Sequence, residues 1–194
     1  MGAERTDLRE AVLELASVSG VVANVCDHAE HNEPYATGDI ERSGERLRSL
    51  AVSLAHGRGR SPVALYRDRL RVIEWRNVVH HDDAFDGPSA IQEAISWRAL
   101  QLVQLAHDRY YHADVAGLSK SDQLRHYALH VAKIAGAAAD TVQGRCSVDD
   151  FVARRVADTL LFGLKLATVA GQRLSADLVP ERRQAAALRD GLRV

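Results

Sequence analysis

Apolar residues recur every three or four positions along most of this chain, and the alternation expected of strands is nearly absent. That 3.6-residue period is the mark of helices that bury one face. It predicts helices at roughly 5–27, 39–56, 61–82, 88–112, 120–142, 149–171 and 180–190. Local chemistry supports several of these limits. Thr37-Gly38-Asp39 and Ser61-Pro62 are start signals, with Pro62 where its missing N–H costs nothing. Gly87-Pro88-Ser89 breaks the chain and restarts it, and the segments beginning at Ser119 and Ser147 offer capping hydroxyls. Gly57, Gly144 and Gly171 stand where helix ends favour a left-handed residue. His28 to Ala36 reads as a polar loop, and the residues after Gly191 as a frayed end. The expected fold is one all-α domain over 1–194, a helical bundle of six or seven helices.

An internal echo refines that picture. LREAVLELASVSGVVA from Leu8 resembles LRHYALHVAKIAGAAA from Leu124 without gaps. Each is followed by a loop and a second helix with a similar end, LAVSLAHGRGRS from Leu50 and LKLATVAGQRLS from Leu164. Read as a duplication, this divides the chain into halves 5–60 and 118–178 with a connecting helix pair at 61–117. Two Ala/Leu-rich amphipathic helices also resemble each other through shared composition, so both readings stand at this point.

Composition then narrows the function classes. Of 194 residues, 46% are apolar and 26% charged, a globular balance, and the net charge is −1. Nothing in that total points to nucleic acid or an anionic membrane. Only Lys120, Lys133 and Lys165 are lysines, against many arginines. Cys26 and Cys146 form no CxxC pair or disulfide framework, which favours a reducing compartment. The N-terminus carries no apolar signal core, and no apolar run approaches the ~18 residues of a membrane span. A cytoplasmic location is the expectation.

From Val152, the stretch VARRVADTLLFGLKLATVAGQRLSADLV resembles the last core helix of the all-α NTP pyrophosphatases, the MazG-like and dimeric dUTPase superfamily. The resemblance spans roughly residues 120–175 and places Gly136 at the glycine of the family's earlier acidic helix. It implies a helical fold and, in the family, carboxylates that bind Mg²⁺ and split nucleoside triphosphates to monophosphate and pyrophosphate. This chain departs from that pattern. The three glutamate positions hold Lys133, Ile134 and Ala137, and in the second motif Asp158 remains while Arg155 replaces the glutamate. Mg²⁺ needs several hard oxygen ligands, so no standard Mg²⁺ site is expected here.

Three clusters could carry other chemistry. His126 and His130 lie together on one side of their helix, and Glu10 and Glu14 occupy the equivalent places on the first. Facing each other, they would make a two-Glu, two-His transition-metal set; pointing outward, they are ordinary polar faces. His56, His81-Asp82 and Asp140 have the spacing of a metal phosphohydrolase, although histidines and aspartates also suit helix ends. His107, Asp108 and His112 read as such a polar helix end. Between Arg42 and Arg76 there are nine arginines, and the turn holding Arg58 and Arg60 leads into a helix start. Guanidinium forks beside free N–H groups suit a phosphate, with Asp158 as a further candidate for the ligand site. A solvated basic surface gives the same pattern. No nucleophile motif occurs.

The leading expectation is a MazG-like homo-oligomer that binds a nucleotide or phosphate, or regulates, without the standard Mg²⁺ carboxylates. Its oligomer surface is expected on the apolar ladder Val156, Leu160, Leu161, Leu164 and Ala167. The alternatives are a non-catalytic helical interaction or assembly protein and a metal-dependent phosphohydrolase built on the His/Asp clusters.

Overall fold

A computed structural model of the chain describes residues 2–77, 85–92 and 95–180. Helix α1 spans Gly2–Glu30, α2 Thr37–Gly57, α3 Pro62–Asn77 and α4 Trp97–Tyr111. A short α5, Ala113–Ala116, precedes α6, Lys120–Val142. Then α7, Val148–Phe151, runs through one π-helical segment, Val152–Val156, into α8, Ala157–Val169. Among the described residues there is no strand, only an isolated antiparallel bridge between Ser96 and Leu178. No described helix is long and apolar enough to cross a membrane. The predicted helix at 180–190 and the last turn of the predicted 61–82 helix lie outside the described residues.

Local chemistry explains most boundaries. Ser119 and Ser147 accept hydrogen bonds from the N–H groups of Asp122 and Asp150. Asn32 takes a left-handed φ of 56° just past α1, which runs three residues further than the sequence pattern suggests. The predicted 88–112 helix starts late, at Trp97. The cause is non-local: the N–H groups of Trp97 and Arg98 donate to Asp177 and Ser175, and Val179 N–H donates to Ile95. Residues 95–98 are thus claimed by the segment after α8, and Ser96 caps what remains.

Helix α1 packs along α6 and α2 along α8, while α3 and α4 cover α8 from the remaining sides. Helices α6 and α8 form a hairpin in which Phe162 lies 5.8 Å from the Tyr127 ring and 4.8 Å from His130. Val131, Leu160 and Leu164 are buried beside them and Ala135 half-buried. The expected oligomer ladder needs correction. Val156, Leu160, Leu161, Leu164 and Ala167 are all buried within the chain, because α8 has a neighbouring helix on every side.

The α2–α8 crossing is set by two glycines. A Cβ on Gly44 would lie 3.0 Å from the Gly163 carbonyl, and one on Gly163 would lie 3.0 Å from the Gly44 carbonyl. The buried Arg48 fills the space beside them and donates to the Gly163 carbonyl at 3.0 Å. Glycine to alanine in a helix normally gains up to about 1 kcal/mol. Here Gly44→Ala and Gly163→Ala should each lose about 1–3 kcal/mol through backbone clash, read by urea unfolding. A neutral or stabilised variant would show that the crossing is looser than described.

Candidate functional site

Helix α4 puts four polar side chains, Gln101, Gln104, His107 and Asp108, on the face it buries. Two of them, Asp108 and Gln104, answer a lysine. Lys165 sits in the otherwise apolar run of α8, 5% exposed, and its Nζ lies 2.8 Å from Asp108 Oδ1. Gln104 donates to the same carboxylate oxygen at 2.8 Å and accepts from the Tyr66 hydroxyl. The ammonium also stands 5.6 Å from the ring centres of Tyr127 and Phe162. Removing one member of such a buried pair costs about 3–5 kcal/mol, because the other charge stays behind uncompensated.

Asp108, Lys165 and Tyr127 line a cavity of about 310 Å³. Arg109, His112, Lys120 and Gln123 supply the rest of its polar wall, and Leu105, Val115 and Val169 its apolar wall. Since Asp108 and Lys165 balance each other, Arg109 and Lys120 leave the cavity with surplus positive charge. His112 is held neutral at pH 7, its pKa lowered by burial and then by the charge of Lys165.

Behind the cavity, His107 is fully enclosed, with no hydrogen-bond partner on either ring nitrogen among the described residues. Its Nε2 is 3.7 Å from Glu74 Oε1, and its ring lies 4.6 Å from that of Tyr111. His107, Asp108 and His112 therefore belong to the interior and the cavity wall, where the sequence reading had a polar helix end. The available signal was polar residues at core spacing in α4 and one lysine inside an apolar ladder.

The other candidate residues are distributed differently. His126 and His130 are adjacent, with ring centres 4.5 Å apart. Glu14 instead faces α2, where Arg46 grips it bidentately at 2.6 and 2.8 Å, and Glu10 lines a separate hollow with Arg58. Equivalent places on antiparallel helices face different neighbours, so the two-Glu, two-His set does not assemble. Among the described residues no three His, Cys, Asp or Glu side chains are grouped to hold a metal ion. His56 contacts the Pro180 carbonyl and Asp140 pairs with Arg145, while His81-Asp82 lies outside the described residues.

Arg58 and Arg60 do share a polar hollow of about 380 Å³, with His56 and Asp149 beside them. Arg60 is exposed and Arg58 half-buried at the start of α3. Asp158 is not part of it. Its two oxygens are held by Arg69 at 2.5 Å and Arg155 at 3.2 Å. Of the resemblance's acidic positions, Lys133 is exposed, Ile134 buried and Ala137 half-buried.

No family model matches the chain, and neither a curated protein nor a solved structure matches it.

The buried histidines make a testable link between acid and stability. Burial, with the charges of His112 and Lys165, pushes the pKa of His107 from 6.5 down to about 3. Burial, with His126 and nearby lysines, pushes that of His130 down to about 4. Below pH 6.5 the unfolded chain takes up protons that the folded chain refuses. Their contribution is complete above about 6.5 and is lost as pH falls towards 3–4. Glu74 acts in the opposite sense, since burial raises its carboxyl above 4.5. The urea midpoint should therefore be flat above about pH 6.5 and decline below it, with His107→Phe flattening the decline. A His107→Phe profile parallel to the parent's would remove His107 as the cause.

Proposed function

We propose that this chain is a MazG-like helical protein that binds a nucleotide or a related phosphate compound in the Asp108–Lys165 cavity. The observation that carries the proposal is the surplus of Arg109 and Lys120 over a floor whose own charges cancel. Phosphate oxygens match those cations, and the Tyr127 ring with Val115 and Val169 suits the flat apolar faces of a base. About 310 Å³ falls within the range of small-ligand sites. Binding is proposed without the family's hydrolysis. Lys133, Ile134, Ala137 and Arg155 offer Mg²⁺ no carboxylate, and Asp158 is already engaged by two guanidinium groups.

Calorimetric titration in the absence of divalent metal, with nucleoside mono-, di- and triphosphates and inorganic pyrophosphate, tests the reading. Binding is expected, and it should tighten as pH falls, because a bound anion favours protonated His112, whose pKa burial lowers in the free chain. A charge-assisted hydrogen bond is worth about 1.5–3 kcal/mol, so Arg109→Ala with Lys120→Ala should weaken binding about tenfold or more. Arg58→Ala with Arg60→Ala should leave it unchanged. Binding lost only in the Arg58/Arg60 variant would move the site to that turn. No binding by any of these compounds would end the nucleotide reading, and Mg²⁺-dependent pyrophosphate release from a dNTP would overturn the reading of Asp158.

A further inference from the structure

Helices α1 and α6 repeat each other in burial as well as in sequence. At the alignment that pairs Leu8 with Leu124, both members of Leu8/Leu124, Leu15/Val131 and Val18/Ile134 are buried. On the opposite side, α1 presents Leu13, Ala16, Gly20 and Ala23, all exposed. Helix α6 presents the same four residue types at the same spacing, Leu129, Ala132, Gly136 and Ala139, with only Ala139 half-buried. Leu13 is 72% and Leu129 67% exposed, an unusual position for two leucines in register.

We propose that this outer α1–α6 face is a self-association surface that docks against the same face of a second copy of the chain. The inference is independent of the nucleotide reading. Three features of the face select a copy of itself as the occupant. It contains both the projecting part and the recess: the exposed Leu129 lines a groove of about 280 Å³ together with Ser19, Ala23 and Ala132. Space above Gly20 and Gly136 is open, with nothing within 4 Å of where a Cβ would lie, so a facing helix can approach closely. The groove ends in charges of both signs, Asp27 and Glu30 from α1 and Arg125 from α6.

The antiparallel pairing of α1 and α6, seen in the Ser19 hydroxyl bonding to the Ala128 carbonyl and in the Glu30–Arg125 pair, fixes how two faces meet. A twofold axis along the groove lays α1 of one copy over α6 of the other. Each Leu129 then enters the space above Gly20 and Ala23 of the second copy, and each Asp27 meets an arginine at position 125. Such an isologous contact closes on itself as a dimer.

Sedimentation velocity of the full chain over a wide concentration range tests the surface. The parent should be a reversible or stable dimer. Leu13→Glu with Leu129→Glu should raise the dimer dissociation constant by at least about tenfold per leucine while leaving the circular dichroism spectrum unchanged. Both side chains are exposed in the single chain, so the fold does not depend on them. Trp75→Glu, at another exposed apolar residue on α3, should leave the dimer intact. A parent that is monomeric at every concentration overturns the proposal. So does a Leu13/Leu129 variant that dimerises like the parent, or a dimer lost only in Trp75→Glu.

Discussion

Enclosing α8 on every side is the constraint on which the rest of the structure depends. Residues 157–167 are buried without interruption, although they include Asp158, Thr159 and Lys165. A polar group without a partner in such a place costs about 1–3 kcal/mol, and a charge more. Each surrounding helix therefore supplies an answer. Helix α2 sends Arg48 to the Gly163 carbonyl, α3 sends Arg69 to Asp158, and α4 sends Asp108 to Lys165. Helix α6 offers the ring of Tyr127 to the same lysine. Thr159 closes on the carbonyl of Arg155, one turn back along its own helix. These bonds fix the register of four helices against one, and they put a charged pair at the wall of the cavity as a consequence of packing.

The same constraint explains which features were legible in the sequence. Helix α6 was readable to the residue because its limits are local: a serine cap at one end and Gly144 at φ 77° beyond the other. The start of α4 was not, because the residues that claim its first turn lie some eighty positions away, at 175–179. Helix α8 was misread as an oligomer surface for a related reason. A ladder apolar on all sides means burial all round, and the covering helix α3 shows little amphipathic pattern by itself. The candidate site was visible in principle. A lysine inside a leucine ladder and an aspartate with a glutamine one turn before it at core spacing are expensive to bury singly, and Lys165, Asp108 and Gln104 are explained by each other.

The metal expectation failed for a geometrical reason that extends beyond these four residues. Matching positions on two similar helices were taken as facing positions. In this antiparallel pair they turn to opposite sides of the contact, and each looks towards its own hairpin partner. Glu14 accordingly meets Arg46 of α2, while His130 meets Phe162 of α8. The exposed leucines obey the same rule. Leu13 and Leu129 are equivalent, not adjacent, and for that reason they repeat along one outer face.

Likeness and difference between the two hairpins then divide the molecule into surfaces with separate uses. The first helices, α1 and α6, stay alike because both have solvent on one side and the same neighbour on the other. The second helices cannot stay alike, since α3 and α4 pack on α8 and leave α2 with an exposed face carrying Arg42, Glu45, Ser49 and Ser53. Covering one member alone forces α8 to become apolar around its whole circumference and to import partners for the charges it retains. The connecting segment brings those partners, including Asp108, together with Arg109 and His112 of the cavity wall. The cavity with its buried charge pair thus lies where α4 packs on α8. The repeated outer face owes nothing to that asymmetry, so a substitution at Leu13 or Leu129 and one at Arg109 or Lys120 should act on different properties of the chain and add without coupling.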